Sequence, residues 1–216
     1  MRLQLSLIIS CLTVLSANII FVPEDYTSIQ AAVNNSSESD TILVNSGTYI
    51  ENIYINNSLV AIISVNGPQN TILDGNSEGS VISVNSPGNS LLIRGFTIKN
   101  GVGELLSSGS RFGGGIISHN TAITLDSLII ENNEAFAGGG VCIYNDYSTE
   151  TESTLINSII ENNIASEGGG VFTINQSLNI INTNIYNNGM VPFGSGGGIQ
   201  ALVANINIIN SIISNN

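Results

Sequence analysis

Between Arg111 and Asn216 a glycine triplet recurs four times, each time followed by an aliphatic residue. The copies are Gly113-Gly114-Gly115-Ile116, Gly138-Gly139-Gly140-Val141, Gly168-Gly169-Gly170-Val171 and Gly196-Gly197-Gly198-Ile199. Successive triplets begin 25, 30 and 28 residues apart, which is the period of a solenoid repeat. A second phrase alternates with them: Ile130-Glu131-Asn132-Asn133, Ile160-Glu161-Asn162-Asn163, Ile185-Tyr186-Asn187-Asn188 and Ile213-Ser214-Asn215-Asn216. Glycine permits φ > 0 and lets neighbouring backbones approach where a Cβ would clash. Asparagine tolerates left-handed turns, and identical Asn side chains can hydrogen-bond along a stack.

One such unit cannot fold alone. The unit from Ile130 to Ile160 offers Val141, Ile143, Leu155, Ile156, Ile159 and Ile160 for burial, too few to offset the ordering of some thirty residues. Stacked units share an apolar interior and extend a hydrogen-bond ladder along every strand. Aligning Asp126-Ser127 with Asn157-Ser158, Asn182-Thr183 and Asn210-Ser211 gives one column of side chains. The Asn-Asn phrases give a second.

Short β-type runs bounded by Asn, Gly, Ser or Pro fill the chain from Thr41 onward, among them Thr41–Val44, Leu59–Val65, Thr71–Leu73 and Val81–Val84. No segment after Val33 has helical periodicity, which excludes a doubly wound α/β sheet. Before Thr41, Ile19–Val22 reads as an edge strand stopped by Pro23. Ile29, Ala32 and Val33 share one face of a short helix, with Thr27 and Gln30 as a capping pair. Such a helix would cover the open end of the first coil, which solenoids protect from edge pairing.

Residues Met1 to about Ala17 read as a secretory leader: Arg2 supplies the charge, Leu3 to Leu15 the apolar run, and Ser16-Ala17 the small residues before cleavage. Ile8-Ile9-Ser10-Cys11 has the look of a lipoprotein box, but the apolar run continues past Cys11 and argues against it. The expected organisation is a leader over 1–17, a cap over 18–40 and coils over 41–216. With Cys11 in the leader, Cys142 is left as a single thiol and no internal disulfide forms.

Only 9% of residues are charged while 42% are hydrophobic, and the formal charge is −12. Four basic residues, Arg2, Arg94, Lys99 and Arg111, are too few to neutralise a phosphate backbone, so nucleic acid and anionic membrane surfaces are excluded as partners.

On these motifs the array resembles the polymorphic outer-membrane protein repeats of chlamydiae, with G-G-G-[IV] standing for G-G-A-I. Ile130/Asn133, Ile160/Asn163, Ile185/Asn188 and Ile213/Asn216 stand for F-x-x-N. More broadly the chain resembles the pectin-lyase-like superfamily. The segments Ile29–Val33, Gly47-Thr48-Tyr49-Ile50-Glu51-Asn52 and Thr71-Ile72-Leu73-Asp74-Gly75 are similar to the opening of many of its members, pectin methylesterases included. The resemblance implies an all-β fold, a right-handed parallel β-helix solenoid with a short N-terminal capping helix. At about 25 residues per coil, seven or eight coils are expected.

The resemblance is specific for fold and says little about function. The Ca²⁺-and-arginine site of the lyases, the aspartate cluster of the hydrolases and the Q-D-T and D-F-x-F-G core of the esterases have no match here. Asp25, Asp40, Asp74, Asp126 and Asp146 are scattered singly, and neither Arg94 nor Arg111 has an acidic partner at motif spacing. No catalytic residue is therefore assigned. Counted from the triplet, His119 aligns with Tyr144, Ile174 and Leu202, and Cys142 with Ile117, Phe172 and Gln200. Both columns read as packing or surface, and Asp74-Gly75 as a turn.

Three segments that lengthen the units, Gly103–Ser110, Asp146–Ser153 and Gly189–Ser195, read as projecting loops suited to binding. Asp146, Glu150 and Glu152 are candidates for a loop-held Ca²⁺, but they match no calcium-repeat motif, so a solvated acidic loop is expected, with no metal or cofactor. The chain stops on the Asn-Asn phrase, which reads as a truncated array.

The function expected is a secreted or cell-surface passenger, adhesin-like or carbohydrate-contacting. Its partner would be a polysaccharide or host-surface ligand, and a membrane would be reached only through an anchor beyond Asn216. The alternatives are a polysaccharide-active enzyme whose site lies in further coils, and a self-assembling surface-layer component.

Overall fold

The computed structural model describes residues 17–57, 61–146 and 151–216. The leader short of Ala17, the first two residues of the expected strand Leu59–Val65, and Glu150 lie outside them. The described chain is an all-β parallel solenoid with one short helix.

Each turn contributes a strand to each of three parallel sheets. In the first sheet Ile19–Val22 is followed by Thr41–Val44, Ala61–Ser64, Ser90–Arg94, Ala122–Asp126, Glu152–Ile156, Ser177–Ile181 and Ile206–Ile209. The second runs from Gly47–Ile50 to Ile212–Ser214, and the third from Ile53–Ile55 to Ile199–Leu202. That makes six complete turns and a partial one, fewer than the seven or eight expected. Two causes account for the difference. The cap takes up residues before Thr41, and register-paired positions lie up to 34 residues apart (Ile82 opposite Ile116), although the first turn is short (Ile42 opposite Ile62, 20 apart).

Side chains alternate across each strand, so every second residue points inward. In the first sheet Ile42, Ile62, Ile93, Leu125, Leu155 and Ile180 stack directly over one another, all buried. Leu73, Ile98, Ile130, Ile160 and Ile185 form the corresponding column of the second sheet. Ile53, Ile82, Ile116, Val141 and Val171 form that of the third.

The corners explain the asparagines. Asp126 pairs with Ile156, so Ser127 aligns with Asn157 and Leu128 with Ser158, one residue away from the alignment drawn from sequence. Ser127, Asn157, Asn182 and Asn210 all hold φ between 49° and 55°, the left-handed turn that Asn tolerates best. The next position is a ladder of hydroxyls: the Leu128 N–H donates to Ser158 Oγ, the Ser158 N–H to Thr183 Oγ1, and the Thr183 N–H to Ser211 Oγ. The two residues of each Asn-Asn phrase also divide their roles. Asn132, Asn162, Asn187 and Asn215 turn the corner at φ near 55°. Asn133, Asn163 and Asn188 point inward, buried, each donating from its main chain and its amide to the Oδ1 of the Asn one coil on.

The helix α1 (Ile29–Asn35) packs Ile29, Ala32 and Val33 over the first coil. Its cap differs from the Thr27–Gln30 pair expected. Ser28 Oγ accepts the Ala31 N–H, and the Glu51 carboxylate accepts those of Ile29 and Gln30. Gln30 instead pairs with the edge of the third sheet, its amide bonding both the N–H and the carbonyl of Tyr54.

A fourth, unexpected sheet lies between the second and third. Glu134–Ala137, Ile164–Glu167 and Gly189–Ser195 run parallel in it, so Gly189–Ser195 is a strand and not a projecting loop. The segment Gly103–Ser110 is likewise structured: Glu104–Leu105 and Arg111–Phe112 pair antiparallel as a hairpin, and Phe112 pairs with Ala137. Of the third expected loop, Glu152 begins a strand of the first sheet.

Candidate functional site

The hairpin and the fourth sheet turn part of the third sheet's outer face into a cleft. In Ile116–His119, Val141–Tyr144 and Val171–Ile174, the outward residues nearest the glycine triplets are Ile117, Cys142 and Phe172. Alternation alone would leave them in water, yet they are 2%, 0% and 3% exposed. Ala137, Phe112 and Leu106 close over them and make a second, smaller apolar core outside the solenoid.

Two residues further along each strand comes the column His119, Tyr144, Ile174 and Leu202. The covering stops there, so these side chains form the floor of an open cleft of about 540 Å³. Leu106, Ser107, Ser108 and Phe112 line one wall, and Asp146 and Glu167 also reach the cavity. The His119 and Tyr144 rings stack with centroids 4.2 Å apart and planes 14° from parallel. The one-coil step between parallel strands brings like positions to ring-stacking distance, which is how two residues 25 apart in sequence share a surface.

Asp146 holds the end of this stack. Its Oδ2 lies 2.8 Å from His119 Nε2 and accepts the Asn120 amide at 2.8 Å, while its N–H donates to Asn120 Oδ1. The Asn120 amide first, and His119 second, hold the Asp146 carboxyl below the usual carboxylate range. Burial, with nearby anionic groups adding to it, pushes the Tyr144 phenol up to about 12. Tyr144 therefore stays a neutral, flat, half-buried surface at physiological pH. Burial also raises the Cys142 thiol strongly; it is sealed beneath the cleft and is no thiolate nucleophile.

Other residues weighed from sequence are placed elsewhere. Asp25 accepts the Phe21 N–H, Asp74 lies 3.8 Å from Lys99, and Asp126 lies 3.3 Å from Arg94 across one coil. Each organises a turn or an outer face, and none is brought to the cleft. Of the three calcium candidates, Asp146 is engaged by His119 and Asn120, Glu152 stands at an exposed strand start, and Glu150 is outside the described residues. Among the described residues no three His, Cys, Asp or Glu side chains gather as a cation site. Counting from the triplets aligns the His119 column as the structure does, but does not join it to Asp146 or to the hairpin. The available signal was that Gly103–Ser110 lengthens the turn that ends in His119.

No family model matches the chain, and no curated protein matches it. Among solved structures it is similar to pectin methylesterase PemA from Erwinia chrysanthemi, at 12% identity and a TM-score of 0.51, over 91% of this chain and 65% of that one. The likeness is one of fold. Escherichia coli YbhC aligns at 13% identity and a TM-score of 0.49, over 88% of this chain and 64% of its own. A pectin methylesterase in complex with a hexasaccharide aligns at 11% identity and a TM-score of 0.41, over 91% of this chain and 80% of its own. The chain thus spans about two thirds of the length of the first two, and the PemA likeness supports the parallel β-helix described above.

Proposed function

We propose that the chain is an extracellular or cell-surface β-helix passenger that binds a neutral glycan in the cleft over His119, Tyr144, Ile174 and Leu202, without turning it over. The observation that carries the reading is the His119–Tyr144 stack at the floor of an apolar cleft. Sugar rings present apolar C–H faces with polar rims, and flat aromatic surfaces edged by hydroxyls and carboxylates complement both. Asp146, Glu167, Ser107 and Ser108 supply such an edge. Among the described residues no Lys or Arg lines the cleft, and the formal charge is −12, so a polyuronate would be repelled where a neutral chain is not. The repeat's resemblance to the chlamydial surface-protein array, and the leader read at residues 1–17, support the surface location.

The test is calorimetric titration of the secreted protein with cellohexaose and mannohexaose, with hexagalacturonate as the charged comparison. Binding of a neutral hexasaccharide that Tyr144→Ala weakens at least tenfold supports the reading. Preference for hexagalacturonate, or binding indifferent to Tyr144→Ala, overturns it.

One observation favours a second reading. The cleft holds two carboxylates, Asp146 and Glu167, beside an imidazole, the group types of general acid–base chemistry. On that reading the protein is a polysaccharide-active enzyme. Release of shortened or de-esterified sugar, lost in Asp146→Asn while binding persists, would establish it in place of the passenger.

A further inference from the structure

Asp40 is a buried carboxylate with no cationic partner among the described residues. It stands directly before the strand Thr41–Val44 and is 2% exposed. Oδ1 accepts the main-chain N–H of Asn18 at 2.7 Å and Oδ2 accepts that of Ser37 at 2.7 Å. The Ser37 bond above all holds its carboxyl below the usual range, against the opposing effect of burial. Among the described residues the ion pairs are Arg94–Asp126, Lys99–Asp74 and His119–Asp146, and none reaches it. The two N–H donors already favour the anion, and replacing one of them by a cation at the same hydrogen-bond distance would turn a neutral bond into a stronger charge-assisted one.

Asn18 is also where the solenoid begins. Its carbonyl accepts the Thr41 N–H at 2.9 Å, and Ile19 opens the register of the first sheet opposite Thr41. Ala17, before it, is exposed. The sequence places the end of the leader at the same bond.

We propose that the Ala17–Asn18 peptide bond is a processing site for a leader peptidase, and that the α-ammonium of Asn18 so released becomes the counter-ion of Asp40. In the cut, water adds its hydroxyl to the Ala17 carbonyl to give a carboxylate. The Asn18 nitrogen leaves as an amine and takes up a proton. At the Asp40 carboxylate a neutral amide N–H is replaced by an ammonium at the same position. Maturation then tightens the edge strand Ile19–Val22 against Thr41–Val44 and locks the cap in place.

The first measurement is the intact mass of protein secreted from a host expressing the full chain. A start at Asn18 supports the proposal, and a start anywhere else overturns it. The second uses the chain beginning at Asn18, released from a cleavable fusion, and a companion beginning at Ala17. With a succinimidyl ester at neutral pH, the Asn18 amine should acylate at least about tenfold more slowly in the folded chain than in urea. That is the factor corresponding to one unit of amine pKa. Lys99, the only lysine, serves as internal reference, and the Ala17 amine should show no such protection. Equal protection of both amines, or of neither, overturns the ion pair. In a third measurement, α-acetylation should lower Tm in the Asp40 chain but not in Asp40→Asn. Equal shifts refute the pairing, and should Asp40→Asn fail to fold, the acylation rates still decide.

Discussion

Removing one member of the internal asparagine ladder isolates what that ladder contributes. Asn163 is fully buried. Its Oδ1 accepts both the main-chain N–H and the Nδ2 of Asn133 at 3.0 Å, and its own Nδ2 donates to the carbonyls of Ile130 at 2.9 Å and Glu161 at 3.0 Å. In Asn163→Ala the Asn133 N–H loses its acceptor and no water reaches it. An orphaned buried donor costs about 1–3 kcal/mol, and each of the three further lost bonds about 0.5–1.5, so the substitution should cost about 2.5–7.5 kcal/mol. The control is Asn207→Ala. Its amide bonds Asn179 Oδ1 at 3.1 Å on the exposed outer face, where water replaces the lost partner at a cost within about 0.5 kcal/mol. Urea unfolding followed by far-UV circular dichroism and tyrosine fluorescence measures both, the chain having six tyrosines and no tryptophan. With a slope of about 2 kcal/mol per molar urea, the Asn163→Ala midpoint should fall by roughly 1–4 M. Two probes are needed because stacked repeats need not unfold in one step. If both variants lose the same stability, the ladder is not what holds the coils together and the reasoning fails.

The close stacking of the coils and the anchoring of Asp146 can be tested in the same way. A Cβ on Gly139 would lie 2.6 Å from the carbonyl oxygens of Gly169 and Ile164, whereas one on Gly88 (φ +80°) meets nothing within 4 Å. Gly139→Ala should therefore cost at least about 3 kcal/mol by overpacking and Gly88→Ala only about 1–2 from its left-handed backbone, and equal thermal midpoints would refute the close coil contact. Asp146 has a folded pKa below its unfolded value of about 3.9, so its contribution is present above that pH and is lost as pH falls through the folded pKa. The stability gap between the native protein and Asp146→Asn should accordingly close below about pH 4, and a gap that widens there would contradict the assignment.

The repeat count carried most of the fold, and the reason is physical. Glycine triplets and Asn-Asn phrases sit where only those residues fit, so counting from them placed His119 over Tyr144, Ile174 and Leu202, as the ladder does. Where several residue types satisfy the same constraint, counting failed. Ser127 fills a left-handed corner occupied elsewhere by Asn157, Asn182 and Asn210, and the resemblance of Asp to Asn pulled the alignment one residue off. The fourth sheet was illegible because the paired strands Glu134–Ala137 and Ile164–Glu167 match only at Ala135 opposite Ala165, too little to mark a repeat. The cap was misread because Ser28, next to Thr27, has the same hydroxyl chemistry, and only backbone geometry separates them. The cleft was half legible. Its column was counted, but Asp146 comes from 27 residues beyond His119, and nothing in one dimension brings the two together.

A solenoid of this kind separates the positions that hold it together from those free to differ. Inward columns repeat nearly the same residue, as Ile130, Ile160 and Ile185 do, because each copy faces the same neighbours. The outward column His119, Tyr144, Ile174 and Leu202 changes at every step. That variation costs the coil ladder nothing, since the backbone bonds are the same whichever side chain stands outside. It also makes the face non-uniform along the solenoid axis, with stacked rings at one end and aliphatic residues at the other. The hairpin in the third turn adds a wall at the ring end only, where Phe112 and Leu106 meet the second core. A ligand reading this surface thus meets a graded strip and not a repeated one. Its position along the axis is fixed by the rings, and exchanging Tyr144 with Ile174 should move the bound sugar by one coil, about 4.8 Å. Paramagnetic relaxation from a spin-labelled oligosaccharide would register that displacement, and an unchanged position would show that the rings do not set it.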